Sequence, residues 1–294
     1  MSTKLISVSV PAESINTYAF LRHGRGQSRF LWQDRSLTIA GIGTTTELFG
    51  WGERRYREVE AEAKALFSDM HHIEVGIDKK QSRLRPYLFG GFSFTSAFVP
   101  DVAWAAFYPA HFILPHYQLT QINAQSYLTI NIIVPGDEEI DPIVAEIKDA
   151  LAEMAEVLQN VSTEFESSFP TSKPGLKAMR FPMSAEQWDK MLTQAIDDMS
   201  TGDLDKVVLA RICEIQLEEE ISLSHIMPNL AKRYPNCNLF LFEPRPFNAF
   251  YGATPETLVD IQGKKLKTMG LAGSAKRGAT AEEDEIVGNG LLQS

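Results

Sequence analysis

The stretch from Leu88 to Val134 limits the fold more than any other. Its apolar runs, Leu88–Phe94, Trp104–Tyr108, Phe112–Leu114 and Tyr127–Val134, are short and aromatic, and Pro100, Pro109 and Pro115 separate the first three from one another and from the last. Prolines at this spacing forbid a continuous helix, so the runs read as β-strands joined by turns. So many aromatic side chains belong in a buried β core rather than in a ligand cage. The first fifty residues extend the pattern, with Leu5–Val10, Phe30–Trp32 and Leu37–Ile42 as strands and Gly41 and Gly43 as breakers. No helix opening on G-x-G-x-x-G follows Gly41-Ile42-Gly43, so that stretch is a sharp turn and not a dinucleotide loop.

Other segments carry a helical period. From Glu53 to Met70, the residues Tyr56, Val59, Ala63, Leu66 and Phe67 share one face, and His71-His72 is expected to close this helix against its dipole. Ile143, Ile147, Ala150, Leu151 and Met154 make an apolar stripe on a helix from Pro142 to Leu158. Ser184-Ala-Glu-Gln187 is a capping-box pattern that starts a helix carrying Trp188, Met191, Leu192, Ala195 and Ile196, and Ser200-Thr-Gly-Asp203 ends it. Ser222–Tyr234 and Ala281–Gln293 are further expected helices. Lys206–Arg211, Asn238–Glu243, Phe247–Tyr251, Thr257–Ile261 and Leu266–Met269 read as strands, the last two joined by a hairpin turn at Gly263. Residues 160–182 lack periodicity and are rich in Ser, Thr and Pro. The expected organisation is therefore an N-terminal α+β half (1–160), a linker (161–182) and a second region (183–294).

Hydrophobic residues at 44% and charged residues at 22% fit a globular protein and exclude disordered or fibrous classes. The formal charge of −10, from 28 basic and 38 acidic residues, argues against nucleic acid and anionic membrane as partners. Cys213 and Cys237, with no CxxC spacing, make neither a zinc site nor a disulfide framework. No leader-like apolar segment opens the chain and no run of apolar residues is long enough to span a bilayer, so the expected location is the cytoplasm.

Three short segments could carry chemistry. Lys206 opens the apolar run Val-Val-Leu-Ala; it is either a snorkelling surface lysine or a partly desolvated amine able to accept a proton. Glu256 follows Thr254-Pro255 and is either a solvated turn carboxylate or an acid; Glu243, before Pro244, reads as a solvated turn residue only. Leu271-Ala-Gly-Ser274, followed by Lys276 and Arg277, is a small-residue turn that can aim backbone N–H groups at an anion or serve as a plain loop.

Taken jointly these segments narrow the choice. Asp205-Lys206-Val-Val-Leu-Ala-Arg211, Tyr234-Pro-Asn-Cys237-Asn-Leu-Phe-Leu-Phe-Glu-Pro244, Gly252-Ala-Thr-Pro-Glu256-Thr-Leu-Val259 and Thr268-x-x-Leu271-Ala-Gly273-Ser274-x-x-Arg277-Gly278 follow one another as in the chorismate-binding enzymes, which the chain resembles closely over 184–294 and more loosely before. Within that family it is most similar to isochorismate synthases. A lysine at 206, fifty residues before Glu256, and Leu271-Ala-Gly-Ser274 match that branch, whereas Met269-Gly270 stands where many relatives place proline. The resemblance implies an α+β fold of large antiparallel β-sheets packed against helices, the fold shared with aminodeoxychorismate synthase, incomplete at its C-terminal end. It implies Mg²⁺-dependent addition of water at C2 of chorismate with loss of the C4 hydroxyl. Lys206 would be the general base, Glu256 the general acid, and Ala272, Gly273 and Ser274 substrate contacts, in menaquinone or siderophore biosynthesis and without an amidotransferase subunit. The family's metal-binding Lys-Asp-x-x-Glu-His segment would fall beyond Ser294, so no metal ligand is expected here, and Glu282–Glu285 read as acidic residues at a helix start. The alternatives are a salicylate synthase, an ammonia-using anthranilate or aminodeoxychorismate synthase component, and a non-catalytic truncated product.

Overall fold

The computed structural model describes residues 2–12, 15–77, 83–123, 125–167, 175–202, 204–270 and 275–293. In chain order the elements are β1 (Thr3–Pro11), α1 (Thr17–His23), β2 (Arg29–Gln33), β3 (Leu37–Ile42), β4 (Thr46–Gly50), α2 (Arg55–Ser68), β5 (Met70–Glu74), β6 (Phe89–Phe92), β7 (Ala110–Leu114), β8 (Tyr117–Ile122), β9 (Gln125–Pro135), α3 (Ile140–Ser167), β10 (Leu176–Arg180), α4 (Ala185–Thr201), β11 (Glu214–Leu217), α5 (Leu223–Arg233), β12 (Asn238–Arg245), β13 (Asn248–Thr254), β14 (Asp260–Gln262), β15 (Lys265–Lys267) and α6 (Ala281–Gln293). The fold is α+β, dominated by antiparallel sheet.

Eight strands form one sheet in the order β13-β12-β2-β3-β8-β9-β1-β5. Every pairing in it is antiparallel except β1 with β5. Strand alternation gives it two unlike faces. On one, Ile6, Val8, Leu31, Ala40, Leu119, Leu128, Leu239 and Leu241 pack under α1, α3 and α5, which contribute Phe20, Leu151 and Met227. On the other, Phe30 and Ile39 meet Phe89 and Ile113 of a second sheet, β4-β7-β6, and α2 lies against β4 and β7. Farther along this second face the buried residues are polar. Ser7 Oγ donates to Asn131 Oδ1 at 2.8 Å, Ser9 and Thr129 hydroxyls meet at 2.7 Å, and Gln118 Nε2 donates to Thr120 Oγ1 at 2.9 Å. These groups are fully buried, and pairing them offsets a desolvation that each would otherwise carry alone.

Most expected elements are present, and the capping box at Ser184 forms as written, with the Ser184 hydroxyl on the Gln187 amide and the Gln187 side chain on the Ser184 amide. Four expectations need correction. His71 and His72 do not close α2. They sit on β5, where pairing with β1 overrides the helical pattern and Ser9 Oγ lies 3.2 Å from His72 Nε2. Trp104–Tyr108 is a turn, because Asp101 Oδ1 accepts the amides of Ala103 and Trp104 at 2.9 and 3.1 Å and draws that backbone away from a ladder. The helix expected to stop near Leu158 runs to Ser167, so the stretch given to a linker is partly helical; residues 168–174 lie outside the described residues. Finally, Lys206–Arg211 forms no strand: among the described residues no ladder partner lies beside it. Segments from both ends of the chain share the large sheet, since β12 pairs with β2.

Candidate active-site cleft

A cleft of about 1280 Å³ opens where the end of the large sheet meets the loops after β13. Period-two alternation along β12 sends Phe240 and Phe242 toward it while Leu239 and Leu241 enter the helical core. Gly252 makes this possible. It pairs with Phe240 across β12–β13, and a Cβ there would lie 2.9 Å from Phe240 Cζ, so a larger residue would push the ring from its place over the strand. β2, paired with β12, continues the same wall, and residues 83–91 also line the cleft. Arg83 donates to Ser36 Oγ at 2.9 Å beside Asp34, and the Arg85 guanidinium stands 5.3 Å from the Tyr87 ring. Aromatic rings and guanidinium groups on one lining suit an anion with an apolar ring.

The expected site residues are distributed unequally around this space. Pro255 and Thr257, on either side of Glu256, line the cleft, as do Thr268 and Met269. Glu256 is exposed on the loop between β13 and β14, and its amide donates to Thr254 Oγ1 at 3.4 Å. Ala272, Gly273 and Ser274 lie outside the described residues, although the chain leading to them borders the cleft. Glu256 itself is not on the cleft lining, and neither is Lys206. Lys206 is exposed in the irregular segment 204–213, held nearest at Arg211, whose guanidinium lies 4.3 Å over the Phe181 ring and donates to the Met183 carbonyl at 3.2 Å.

Two charge clusters lie outside the cleft lining, one buried and one partly exposed. Arg29 makes two hydrogen bonds to Glu243, Nε to Oε2 at 2.5 Å and Nη2 to Oε1 at 3.2 Å. Glu243 also accepts the Phe247 amide at 2.8 Å, holding Phe247 at its positive φ of 67° in the β12–β13 turn. The solvated turn carboxylate expected at 243 is therefore a buried one. In the second cluster Arg245 grips Glu47 at 2.8 and 3.0 Å, and His111 Nε2 meets the same carboxylate at 2.9 Å. Burial favours a neutral His111 and holds its pKa below the ordinary value, although Glu47 pulls the other way. Burial alone would raise Glu47, but hydrogen bonds from Arg245 and His111 outweigh it and leave the carboxyl below its ordinary range. Nothing local in the sequence marks these partners, since Glu47 stands 64 residues from His111 and 198 from Arg245.

Among the described residues no three His, Cys, Asp or Glu side chains converge as a metal would require. They do not fit a Mg²⁺ site, and no step is assigned to one. Glu283 and Asp284 instead accept the Ala279 and Gly278 amides at the start of α6, at 2.8 and 2.9 Å, and Asp284 also pairs with Arg277.

The family description "Chorismate binding enzyme" matches residues 1–294. The chain belongs to the chorismate-binding enzymes. This chorismate-binding chain is 28% identical over 296 residues to isochorismate synthase MenF of Bacillus subtilis, covering 98% of itself and 60% of that relative. It is 27% identical over 264 residues to the salicylate biosynthesis isochorismate synthase of Pseudomonas aeruginosa, covering 90% of itself and 52% of the relative. In structure it is similar to MenF, the menaquinone-specific isochorismate synthase of Escherichia coli, with a TM-score of 0.65 at 17% identity over all of this chain and 60% of that one. That likeness shows the fold. The chain thus spans between half and two thirds of the length of these three relatives. No helix among the described residues is long and apolar enough to cross a membrane.

Proposed function

We propose that this chorismate-binding enzyme has the activity of an isochorismate synthase, adding water at C2 of chorismate as the C4 hydroxyl leaves. The observation that carries the reading is similarity to an isochorismate synthase over 98% of the chain, and the motif resemblance would make Lys206 the base and Glu256 the acid. The cleft supports it: aromatic and cationic walls suit a ring dicarboxylate, and residues next to Glu256 border it.

In this mechanism Glu256, protonated, donates to the departing C4 oxygen from one side of the ring. Lys206, neutral, takes the proton of the attacking water from the other. Such a pair works when the two environments push the acid up and the amine down. Lys206 is exposed in the irregular segment, so the reaction requires that segment to close over the bound ring and strip water from the amine. Ala272, Gly273 and Ser274 would contact substrate oxygens. The relatives named for menaquinone favour a quinone pathway over a siderophore one.

Residues 1–294 carried in a chain of the relatives' full length, and incubated with chorismate and Mg²⁺, are expected to yield isochorismate, separated from salicylate by chromatography; alone, with no fitting metal site among the described residues, they are expected to be inactive. Lys206→Ala and Glu256→Gln should each lower turnover about 10²–10⁴-fold, the usual cost of a lost acid or base. Parent-like rates in either variant, or no isochorismate from the parent, would overturn the proposal.

A further inference from the structure

We infer that Asn238 and Thr268 are positioning residues that fix the loop carrying Glu256, an inference that rests on the reading of Glu256 as the acid. That loop, residues 255–259, joins β13 to β14 without regular structure of its own. Among the described residues the Glu256 carboxylate takes no hydrogen bond and no ion pair, so its location follows from its backbone alone. Proton transfer demands a donor within about 3 Å of its target, and a catalytic group must be held to roughly half an ångström. A free loop does not provide that.

Two side chains from outside the loop do. Asn238 Nδ2, at the first position of β12, donates to Thr257 Oγ1 at 3.0 Å. Thr268 Oγ1, beyond β15, donates to the Leu258 carbonyl at 2.8 Å. Thr254 Oγ1 adds a contact at the near end, donating to the Glu256 carbonyl at 3.3 Å. The residue after Glu256 is thereby tied to the rigid eight-stranded sheet, and the next one to the chain that leads into Leu271. Asn238, Thr257 and Thr268 all border the cleft. None of these bonds occupies the Glu256 carboxylate, which stays open to substrate. Asn238 and Thr268 act through the loop and not on the reacting atoms.

The test compares Thr268→Val, which keeps the shape and loses the donor, with Thr268→Ser, which keeps the hydroxyl, and pairs Asn238→Leu with Thr257→Val. Amide hydrogen exchange over 255–259 should quicken about tenfold in Thr268→Val and Asn238→Leu and stay at the parent rate in Thr268→Ser. The double variant Asn238→Leu/Thr257→Val should be no worse than either single one, as expected for two ends of one bond. With chorismate as substrate and the chain at the relatives' full length, kcat should fall about tenfold in Thr268→Val while KM stays within about twofold, the mark of a misplaced group rather than a damaged binding site. Parent-like exchange in both Thr268→Val and Asn238→Leu overturns the inference. So does parent-like kcat in both where Glu256→Gln abolishes turnover. If Glu256→Gln itself leaves turnover intact, the acid reading falls, and exchange still decides whether the loop is pinned.

Discussion

Phe20, Leu119 and Leu128, in the layer made by the large sheet and its helices, are fully buried, whereas Val208 and Leu258, next to Lys206 and Glu256 in chain position, are 81% and 86% exposed. The contrast extends through the elements around them. Helix α3 buries Ile147, Leu151 and Leu158, while α4, with as clear an apolar stripe in its sequence, buries only Ala195 among the described residues. Both strands of the β10–β11 pair are largely exposed. Stability therefore resides in the sheet, and the proposed acid and base sit on segments with few packed neighbours. The irregular Lys206 segment is of the kind that opens locally at low cost, whereas side-chain bonds from Asn238 and Thr268 hold the Glu256 loop.

The largest expected effects would test whether the two layers differ as described. Phe20→Ala should cost about 3–5 kcal/mol in denaturant unfolding, the usual cost of emptying an aromatic core site, whereas Ile196→Ala on α4 should cost less than about 0.5 kcal/mol. Similar losses would erase the distinction. Arg29→Met leaves Glu243 buried without its cation and should cost about 3–5 kcal/mol, against about 0–1 kcal/mol for Arg180→Met, whose partner Glu214 is on the surface.

A smaller effect follows from pH. His111 and Glu47 both have folded pKa values below their ordinary 6.5 and 4.5, so the unfolded chain takes up protons first as the solution is acidified. Their contribution to stability is complete above about pH 6.5, declines below it as the unfolded histidine protonates, and declines again below about pH 4.5 as the unfolded carboxyl does. Denaturant midpoints measured across that range should fall in two stages, and His111→Phe should remove the upper one and shrink the lower, since His111 also helps hold the Glu47 carboxyl down. A further small effect belongs to the loose layer: Ser184→Ala should cost about 1 kcal/mol and quicken exchange in the first turn of α4 without moving exchange in β1.

Local chemistry was legible in the sequence. The capping box at Ser184, the glycine turn at Gly263 and the bounds of α6 all follow from residues a few positions apart, and the structure keeps them. Contests between local pattern and distant partners were not. His71 and His72 join a strand because β1, more than sixty residues earlier, is there to pair with them. Lys206–Arg211 has the composition of a strand but meets no ladder among the described residues. Around the cleft, the motif from Gly252 to Val259 stood out in the sequence, and Gly252 lies under the Phe240 ring. The cleft residues Arg83, Arg85 and Tyr87, the buried Glu243 and His111, and the half-buried Glu47 depend on contacts that span the chain.

The polar pairs between β1 and β9 bear on how the chain reaches its fold. β1 is complete after eleven residues, but β9 ends only at Pro135, so the two must find one another late and in the right alignment. Ser7 stands directly opposite Asn131, and Ser9 opposite Thr129. A slip of one residue would set Ile6 and Val8 against those polar partners and turn both serine hydroxyls into the oily layer beneath α3. The misaligned sheet would lose its hydrogen bonds and its core contacts together. The buried hydroxyls thus proofread assembly, making an error at the first strand too unstable to persist.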